Sequence, residues 1–268
     1  MMKDNNLALL VLSCDAYKDL WQPYIKLYDK YWPNSQLNSY FCSDTLGINH
    51  PAFINIPAGK PLEWSARLLH AVNQIKEEYL LLVLDDYYIT RPVQEDKLLQ
   101  SVDVMQKTGA VYCRVYPCPA PTADLPGFPD YGIVEKGAAY RTSTQATIWK
   151  TSVLREFIIP TESVWDFELK GSIRSNEIDA PFIGLKLINN NPKLDEENYP
   201  YHYLCTAVYK RKWMREAVEL AKKEGLVLNT DFIKIENAMD YFRRKHYHSL
   251  PKPAQHVFDF LNVRLNKK

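Results

Sequence analysis

Two adjacent carboxylates, Asp85 and Asp86, follow the most apolar segment of the chain, Tyr79–Leu84. Such a segment predicts a buried central strand, so the two acids should stand where that strand ends. Adjacent carboxylates repel one another unless a divalent cation or a hydroxyl-rich ligand is present. Their oxygen atoms suit Mg²⁺ or Mn²⁺, which would bridge the phosphates of a nucleoside diphosphate. The alternative is a solvated strand end at which one Asp caps a turn.

A second pair of acids, Asp166 and Glu168, alternates with the aromatic residues Trp165 and Phe167. A partly apolar setting makes a carboxylate a more useful general base, and an aromatic face stacks well on a sugar ring. Ser163, followed three positions later by Asp166, also matches a capping box at the start of a helix. That alternative leaves Glu168 as the freer of the two candidate catalytic residues.

Basic side chains and one histidine complete the candidates. Arg67, near the start of a predicted helix, could bind a phosphate or a carboxylate, or it could form a surface ion pair. Lys210, Arg211 and Lys212 stand at the start of another predicted helix, Lys212–Glu224 with Gly225 as its C-cap, where they would clamp a diphosphate. His202 could ligate a metal or stabilise a leaving phosphate, and the alternative for a histidine between two tyrosines is a place in the core.

Composition and absent motifs narrow the function classes. No GxGxxG, GxxxxGK[ST], GxSxG or HExxH pattern occurs in the 268 residues, so the commonest dinucleotide, P-loop and hydrolase signatures are missing. The net charge of +1 argues against a nucleic-acid partner. The five cysteines are scattered, without a CxxC pair, and no apolar run is long enough for a membrane span. We therefore expect free thiols in a soluble, cytoplasmic protein.

Strands and helices alternate along the first part of the chain, which is typical of an α/β fold with a doubly wound, mostly parallel sheet. Predicted strands cover residues 7–12, 37–42, 53–56, 79–84 and 110–114, and predicted helices cover residues 17–31, 63–77 and 95–107. Ligands of such sheets bind outside the carboxyl ends of the strands. Asp15, Asp44 and the Asp85-Asp86 pair each follow a strand, so we expect them to meet at one edge.

The end of the chain is basic and aromatic. The segment from Tyr241 to Lys268 contains a single acid, Asp259, and seven basic residues: Arg243, Arg244, Lys245, Lys252, Arg264, Lys267 and Lys268. This segment could touch an anionic membrane surface or receive a lipid-linked acceptor, and the alternative is a solvated helical face. We expect one domain over residues 1–215 and a helical extension over residues 216–268 that packs on it.

Five short segments, in this order and spacing, resemble bacterial GT-A glycosyltransferases of surface-polysaccharide gene clusters. They cover residues 11–17, 63–67, 82–88, 143–149 and 165–172, and the resemblance extends over roughly residues 7–215. It implies a Rossmann-like GT-A sheet that binds a nucleoside diphosphate sugar. The basic tail lies outside it.

The resemblance also implies roles for single residues. Asp85-Asp86 would stand in for the DxD motif, with Asp85 near the ribose and Asp86 on Mn²⁺ or Mg²⁺. Asp15 and Asp44 would lie near the base and the ribose of the nucleotide. Tyr87 occupies the position where the motif has its second Asp, so the metal site is incomplete.

Two further positions take roles from the resemblance. Gln145 would contact the donor sugar or the acceptor, and Asp166 or Glu168 occupies the place of the general base in inverting GT-A enzymes. Lys210, Arg211 and Lys212 could replace part of the metal's charge.

The expected reaction moves a sugar from a nucleotide-sugar donor to a glycan or lipid-linked acceptor, with inversion, in cell-surface polysaccharide synthesis. One alternative is a sugar nucleotidyltransferase, although such enzymes want a glycine-rich, basic loop after the first strand, where this chain has Ser13-Cys14-Asp15. The other alternative is a non-catalytic glycan-binding protein.

Overall fold

A computed structural model describes residues 6–186 and 199–246. Contacts divide the chain into two compact units, the first ending at Cys205 and the second beginning at Thr206. The expected domain boundary at residue 215 therefore falls inside the second unit. Each unit contains a β-sheet of its own.

The first unit is built on a mixed sheet. Its strands are β1 (Leu7–Leu12), β2 (Asn38–Ser43), β3 (Phe53–Pro57), β4 (Tyr79–Leu84), β5 (Tyr112–Arg114), β6 (Ala123–Asp124), β7 (Tyr131–Ile133), β8 (Thr147–Lys150) and β9 (Phe182–Leu185). They lie in the order β3-β2-β1-β4-β8-β5-β9-β7-β6. The pairs in β3-β2-β1-β4 are all parallel, and β8 is antiparallel to both β4 and β5. The α/β prediction is confirmed. On one side of β8 the sheet consists of the parallel strands β3, β2, β1 and β4, and on the other side its strand pairs are mixed.

Burial explains why the first and fourth strands read as continuous apolar runs. Every residue of β1 is buried, and so are the residues of β4 before Leu84. A strand that is covered on both faces needs apolar side chains at successive positions instead of alternating ones. These two strands are neighbours and form the centre of the parallel half.

Helices accompany this sheet in the same unit. They are α1 (Trp21–Tyr31), α2 (Trp64–Val72), α3 (Glu95–Thr108), α4 (Thr151–Phe157) and α5 (Val164–Arg174). The helix predicted over residues 17–31 begins as a tighter 3₁₀ turn, Asp15–Leu20, and the helix predicted over residues 63–77 ends earlier, at Val72. Helix α3 ends at Gly109, whose φ of 70° is the left-handed conformation that glycine adopts without strain.

Helix α5 is held in place by an aromatic cluster. Phe167 is fully buried, with its ring 5.6 Å from that of Phe157 and 6.3 Å from that of Trp149. On the same helix, a Cβ added at Gly171 would come within 2.9 Å of the Thr142 hydroxyl oxygen. The glycine therefore permits α5 to approach the segment before β8, and Glu168 lies on this helix between the two contacts.

The second unit contains a small sheet and two helices. Its elements are β10 (Val208–Tyr209), β11 (Lys212–Trp213), α6 (Arg215–Glu224), β12 (Lys234–Ile235) and α7 (Ala238–His246). The predicted helix start at Lys212 is wrong, because Lys212 and Trp213 form β11 and the helix begins at Arg215. The predicted C-cap at Gly225 is confirmed by its left-handed φ of 64°.

The described part of the basic tail is largely paired with acids. The Arg244 guanidinium lies 2.6 Å from a carboxylate oxygen of Glu216 and 2.7 Å from one of Glu236. Lys245 also pairs with Glu216, at 3.0 Å. Residues 247–268, on which the predicted membrane contact largely depends, lie outside the described residues. Within the described ranges, no helix has the length and apolar character needed to cross a membrane.

Candidate functional site

The strand ends that carry acids do meet at one edge. In the parallel register Leu12 lies opposite both Cys42 and Leu84, so β1, β2 and β4 end side by side. Asp15, Asp44 and the Asp85-Asp86 pair follow these three ends. The edge that the sequence predicts is therefore present, although its acids differ in what they contact.

Asp85 faces the protein interior. It is 5% exposed and accepts a hydrogen bond of 2.5 Å from the Ser13 hydroxyl, which itself accepts one of 2.6 Å from the Trp21 indole N–H. Burial and the neighbouring charge of Asp86 raise the pKa of Asp85 to about 8. This geometry corrects the expectation that Asp85 contacts a ribose, because its carboxyl group offers almost no surface to a ligand.

The two loops after β1 and β2 are tied together by their own acids. The Asp15 carboxylate accepts hydrogen bonds from the backbone N–H groups of Thr45 and Leu46, at 3.1 and 3.2 Å, and from the Thr45 hydroxyl. Although the burial of Asp15 opposes it, these hydrogen bonds lower the pKa of Asp15. The Asp15 N–H in turn donates to Asp44 at 3.0 Å. Both acids therefore shape the rim of the edge.

Arg67 is a buried partner of this rim. Its Nη1 atom lies 2.5 Å from the Asp44 carboxylate and 2.8 Å from the Leu62 carbonyl oxygen. Both side chains of the ion pair are about nine-tenths buried, which excludes the surface ion pair considered above. The Arg67 Nε–H has no hydrogen-bond partner among the described residues.

Asp86 begins a second stretch of the same edge. After Asp86, Ile89 forms an isolated antiparallel β-bridge with Tyr203, which belongs to the last segment of the first unit. The Tyr87 ring stacks on the Tyr203 ring at 4.6 Å, and the Tyr87 hydroxyl donates to the Thr144 carbonyl oxygen at 3.0 Å. Tyr87, which replaces the second Asp of a DxD motif, is therefore a buried link between β4 and the segment before β8.

Gln145 is held by the segment that ends the first unit. Its side-chain oxygen accepts a hydrogen bond of 2.7 Å from the Tyr203 hydroxyl and contacts the Cys205 thiol at 3.6 Å. Burial and the nearby Cys118 and Asp86 raise the pKa of the Cys205 thiol to about 11. The thiol is therefore neutral near pH 7, where it contacts Gln145.

The structure separates the two acids of α5. One carboxylate oxygen of Glu168 accepts hydrogen bonds from the backbone N–H and the hydroxyl of Thr144, at 2.7 and 2.9 Å, and contacts the Ser143 hydroxyl at 3.5 Å. The other oxygen, Oε2, accepts no hydrogen bond from any residue in the described ranges. Glu168 is 8% exposed. Thr144 also accepts the hydrogen bond of the Tyr87 hydroxyl, so Glu168 is linked through Thr144 to the residue that follows Asp86.

Asp166 closes the start of α5. It forms the predicted capping box with Ser163, and Lys170 lies 2.9 Å from its carboxylate. The hydrogen bonds from Lys170 and Ser163 lower the pKa of Asp166. Its contacts are those of a helix cap, whereas Glu168 reaches the strand edge.

His202 is engaged with Thr90. Its Nδ1 atom is within hydrogen-bond distance of the Thr90 hydroxyl, and its carbonyl oxygen accepts the Thr90 N–H at 3.1 Å. Between residues 6 and 186 and between 199 and 246, no three His, Cys, Asp or Glu side chains are grouped to hold a metal. A Mg²⁺ or Mn²⁺ ion held by Asp86 would therefore need substrate phosphates and water to complete its coordination.

Lys210, Arg211 and Lys212 lie in the second unit, on the hairpin between β10 and β11. Lys210 and Arg211 occupy the turn with positive φ values of 49° and 59°, and the Lys212 ammonium pairs with Asp240 at 2.7 Å. The expectation that these residues start a helix is wrong, because α6 begins at Arg215. Their role as a diphosphate clamp stays a prediction.

Four residues at this edge were not among the predicted site residues: Ser13, Thr144, Tyr203 and Cys205. Ser13 and Thr144 lie inside the segments that carry the family resemblance, but nothing in their type distinguishes a hydroxyl that anchors a carboxylate. Tyr203 and Cys205 are more than 50 residues from Gln145 in the chain. No local pattern could have indicated those contacts.

No protein-family model matches this sequence, and no curated protein matches it. Among solved structures, residues 1–349 of TarS from S. aureus are 12% identical with a TM-score of 0.48, covering 91% of this chain and 72% of that chain. A cytidylyltransferase from Leptospira borgpetersenii is 11% identical with a TM-score of 0.46, covering 88% and 99%. The chain spans 50% of a longer TarS structure. At TM-scores of 0.48 and lower, these similarities do not bear on activity.

Proposed function

We propose that this protein is a glycosyltransferase that moves a sugar from a nucleoside diphosphate sugar to a hydroxyl group of a glycan or lipid-linked acceptor, in cell-surface polysaccharide synthesis. The observation that carries the proposal is the arrangement of Glu168. It is a buried carboxylate with one oxygen anchored by Thr144 and the other unbonded within the described residues. Thr144 also accepts a hydrogen bond from Tyr87, the residue after Asp86, at the edge where sheets of this type bind ligands.

In the proposed reaction, Glu168 Oε2 accepts the proton of the acceptor hydroxyl as that oxygen attacks the anomeric carbon. The bond from that carbon to the nucleotide breaks on the opposite face, which inverts the configuration, and the transition state resembles an oxocarbenium ion. Thr144 holds the carboxylate in position during this transfer. Asp86 would hold a Mg²⁺ or Mn²⁺ ion whose charge stabilises the departing diphosphate.

The β1–β2 edge would receive the nucleotide. Asp15, Asp44 and Arg67 hold its loops in one shape, so a nucleoside would bind to a rim that is already formed. Arg67 keeps an unpartnered, buried N–H group within the described residues. We do not assign Asp85 a ligand contact, because it is buried against Ser13.

The loop after β1 argues against the nucleotidyltransferase alternative. Nucleotidyl transfer needs backbone N–H groups and basic side chains around a triphosphate, but Asp15 places a carboxylate there. Such a carboxylate repels a highly charged triphosphate. A non-catalytic glycan-binding protein would have no need for an anchored carboxylate with one unbonded oxygen.

The test is a transfer assay on the full chain, preceded by a thermal-shift panel of nucleoside diphosphate sugars with and without Mn²⁺ to find the donor. Glu168→Gln and Asp86→Asn should each lower transfer by ~10²-fold or more, which is the usual scale for such groups. Asp179→Asn changes an exposed acid paired with Lys136 and is the matched control. Wild-type rates in both variants, or pyrophosphate release from a nucleoside triphosphate and a sugar phosphate, would overturn the proposal.

A further inference from the structure

A cavity of about 220 Å³ lies beyond the residues assigned so far, in the first unit. Helix α3 contributes Lys97 and Gln100 to its lining, the start of β7 contributes Asp130 and Tyr131, and the far wall includes Lys186 and Tyr199. None of these residues takes part in the proposed transfer chemistry.

Sheet topology places this cavity at the ligand edge. Tyr131 lies opposite Leu185, the last residue of β9, so the cavity is beside the carboxyl end of that strand. Strand β9 is parallel to β5, and β5 and β4 are both antiparallel to β8, so β9 and β4 end at the same edge. Three strand spacings separate them, which is roughly 14 Å. A ligand longer than one sugar unit could therefore meet both regions.

Among the described residues, the lining of the cavity has two lysines, Lys97 and Lys186, and one acid, Asp130. Lys97 is half-buried, and its ammonium group has no ion-pair partner among the described residues. The Lys186 ammonium pairs with Asp124 at 2.5 Å, but that carboxylate is 89% exposed, so the pair contributes little and can be exchanged for another anion. Asp130 is the only acid that lines the cavity among the described residues, and it is exposed.

The wall of the cavity is fixed by tyrosine contacts. The Tyr131 hydroxyl is 3.0 Å from that of Ser101 on α3. The Tyr199 ring lies 5.4 Å from the Tyr116 ring, which lies 4.9 Å from the Tyr203 ring beside Gln145. These contacts make the cavity a preformed feature and join its wall to the wall of the candidate catalytic site.

We infer that this cavity is an anion subsite, in which Lys97 and Lys186 bind a phosphate or carboxylate group carried by the acceptor. The link to the acceptor rests on the proposed function, whereas the binding of an anion does not. A lysine ammonium is a compact charge that binds phosphate or carboxylate without demanding one planar geometry. The subsite would select acceptors that carry an acidic group at a fixed distance from the attacking hydroxyl.

The test is isothermal titration calorimetry of the full chain at low ionic strength, with inorganic phosphate in one series and acetate in the other. The series with the tighter binding identifies the group. Lys97→Met and Lys186→Met should each weaken binding about tenfold or more, because each removes a charge-assisted contact. Lys97→Arg should retain most of the binding. Lys107→Met, on an exposed position of the same helix, is the control.

Two results would overturn the subsite. One is the absence of binding by wild-type protein in both series. The other is unchanged binding in both methionine variants, with folding verified by circular dichroism. Because the titration uses no sugar donor, its failure would leave the transfer reaction intact. A failed transfer assay would likewise leave the titration result standing.

Discussion

The β1–β2 rim, formed by Asp15, Asp44 and Arg67, and the region around Glu168 both place acids at the ligand edge, but they use them differently. In the rim the carboxylates bind backbone N–H groups and a buried guanidinium. Glu168 is anchored through one oxygen only. The difference indicates that acids of the rim maintain its shape, whereas Glu168 has an atom available for chemistry.

Local backbone geometry explains the contrast. A loop that leaves a parallel strand has N–H groups without a sheet partner, and a short Asp side chain can accept hydrogen bonds from them and fix the loop. Asp15 does this from the neighbouring loop for Thr45 and Leu46. Glu168 comes instead from a helix whose backbone is already paired, and Phe167 fixes the helix against the core.

The largest expected effect tests the rim. Arg67→Met should lower the free energy of unfolding by about 3–5 kcal/mol, because it leaves the buried Asp44 carboxylate without its cation. Urea unfolding followed by circular dichroism measures this change. Lys136→Met removes an exposed ion pair and should lower the free energy of unfolding far less. Equal losses in the two variants would show that Asp44 and Arg67 have no special structural role.

The next effect tests the anchoring of Glu168. Thr144→Val removes the hydroxyl that donates to the carboxylate but keeps the backbone N–H. We expect kcat to fall by about tenfold or more, since hydrogen bonds to charged groups contribute about 1.5–3 kcal/mol. As a positioning residue, Thr144 should affect kcat more than the donor KM and should move the acidic limb of the pH–rate profile, where the general base must lose its proton.

Thr144→Ser restores the hydroxyl and should recover most of the rate. A Val variant with wild-type kcat and an unmoved pH profile would remove Thr144 from the mechanism. It would also weaken the assignment of Glu168, because the carboxylate would then not need a fixed orientation.

The strands and helix caps could be predicted from the sequence because each depends on residues that are close together in the chain. The apolar runs of β1 and β4, the Ser163–Asp166 capping box and the Gly225 cap each depend on neighbouring residues. The insertion of β8 between β4 and β5 depends on pairing over long sequence distances, which no local pattern encodes. The same holds for His202, whose partner Thr90 is 112 positions away.

The orientation of Asp85 shows a second limit of sequence reasoning. Asp85 and Asp86 lie in the turn after β4, which the Tyr87 N–H closes onto the Leu84 carbonyl oxygen at 3.1 Å, and one of the two acids turns inward. The sequence does not say which one, because both are acids after the same strand. Ser13 and Trp21, which receive the inward carboxyl group, decide the matter only once β1 and β4 are paired.

A smaller effect concerns the pH dependence that buried Asp85 imposes. Its pKa is about 8 in the folded protein against 3.8 ordinarily, so between these values the folded state retains a proton that the unfolded state has lost. Stability should therefore fall as pH rises through this window, by at most about 1.4 kcal/mol per pH unit. Unfolding free energies measured from pH 4 to pH 8 test this slope. Asp85→Asn should flatten it, and a slope that persists in this variant must arise elsewhere.

The smallest effect distinguishes the two acids of α5. Asp166→Ala should lower the stability slightly, because the capping box loses one of its two side chains. Transfer by this variant should stay within about twofold of wild type, since Asp166 contacts Ser163 and Lys170 and leaves the strand edge to Glu168. Rates and unfolding curves are measured on the same preparation. A large fall in rate without a loss of stability would make Asp166 the base. The anchored oxygen of Glu168 would then be a structural contact, like those of the rim.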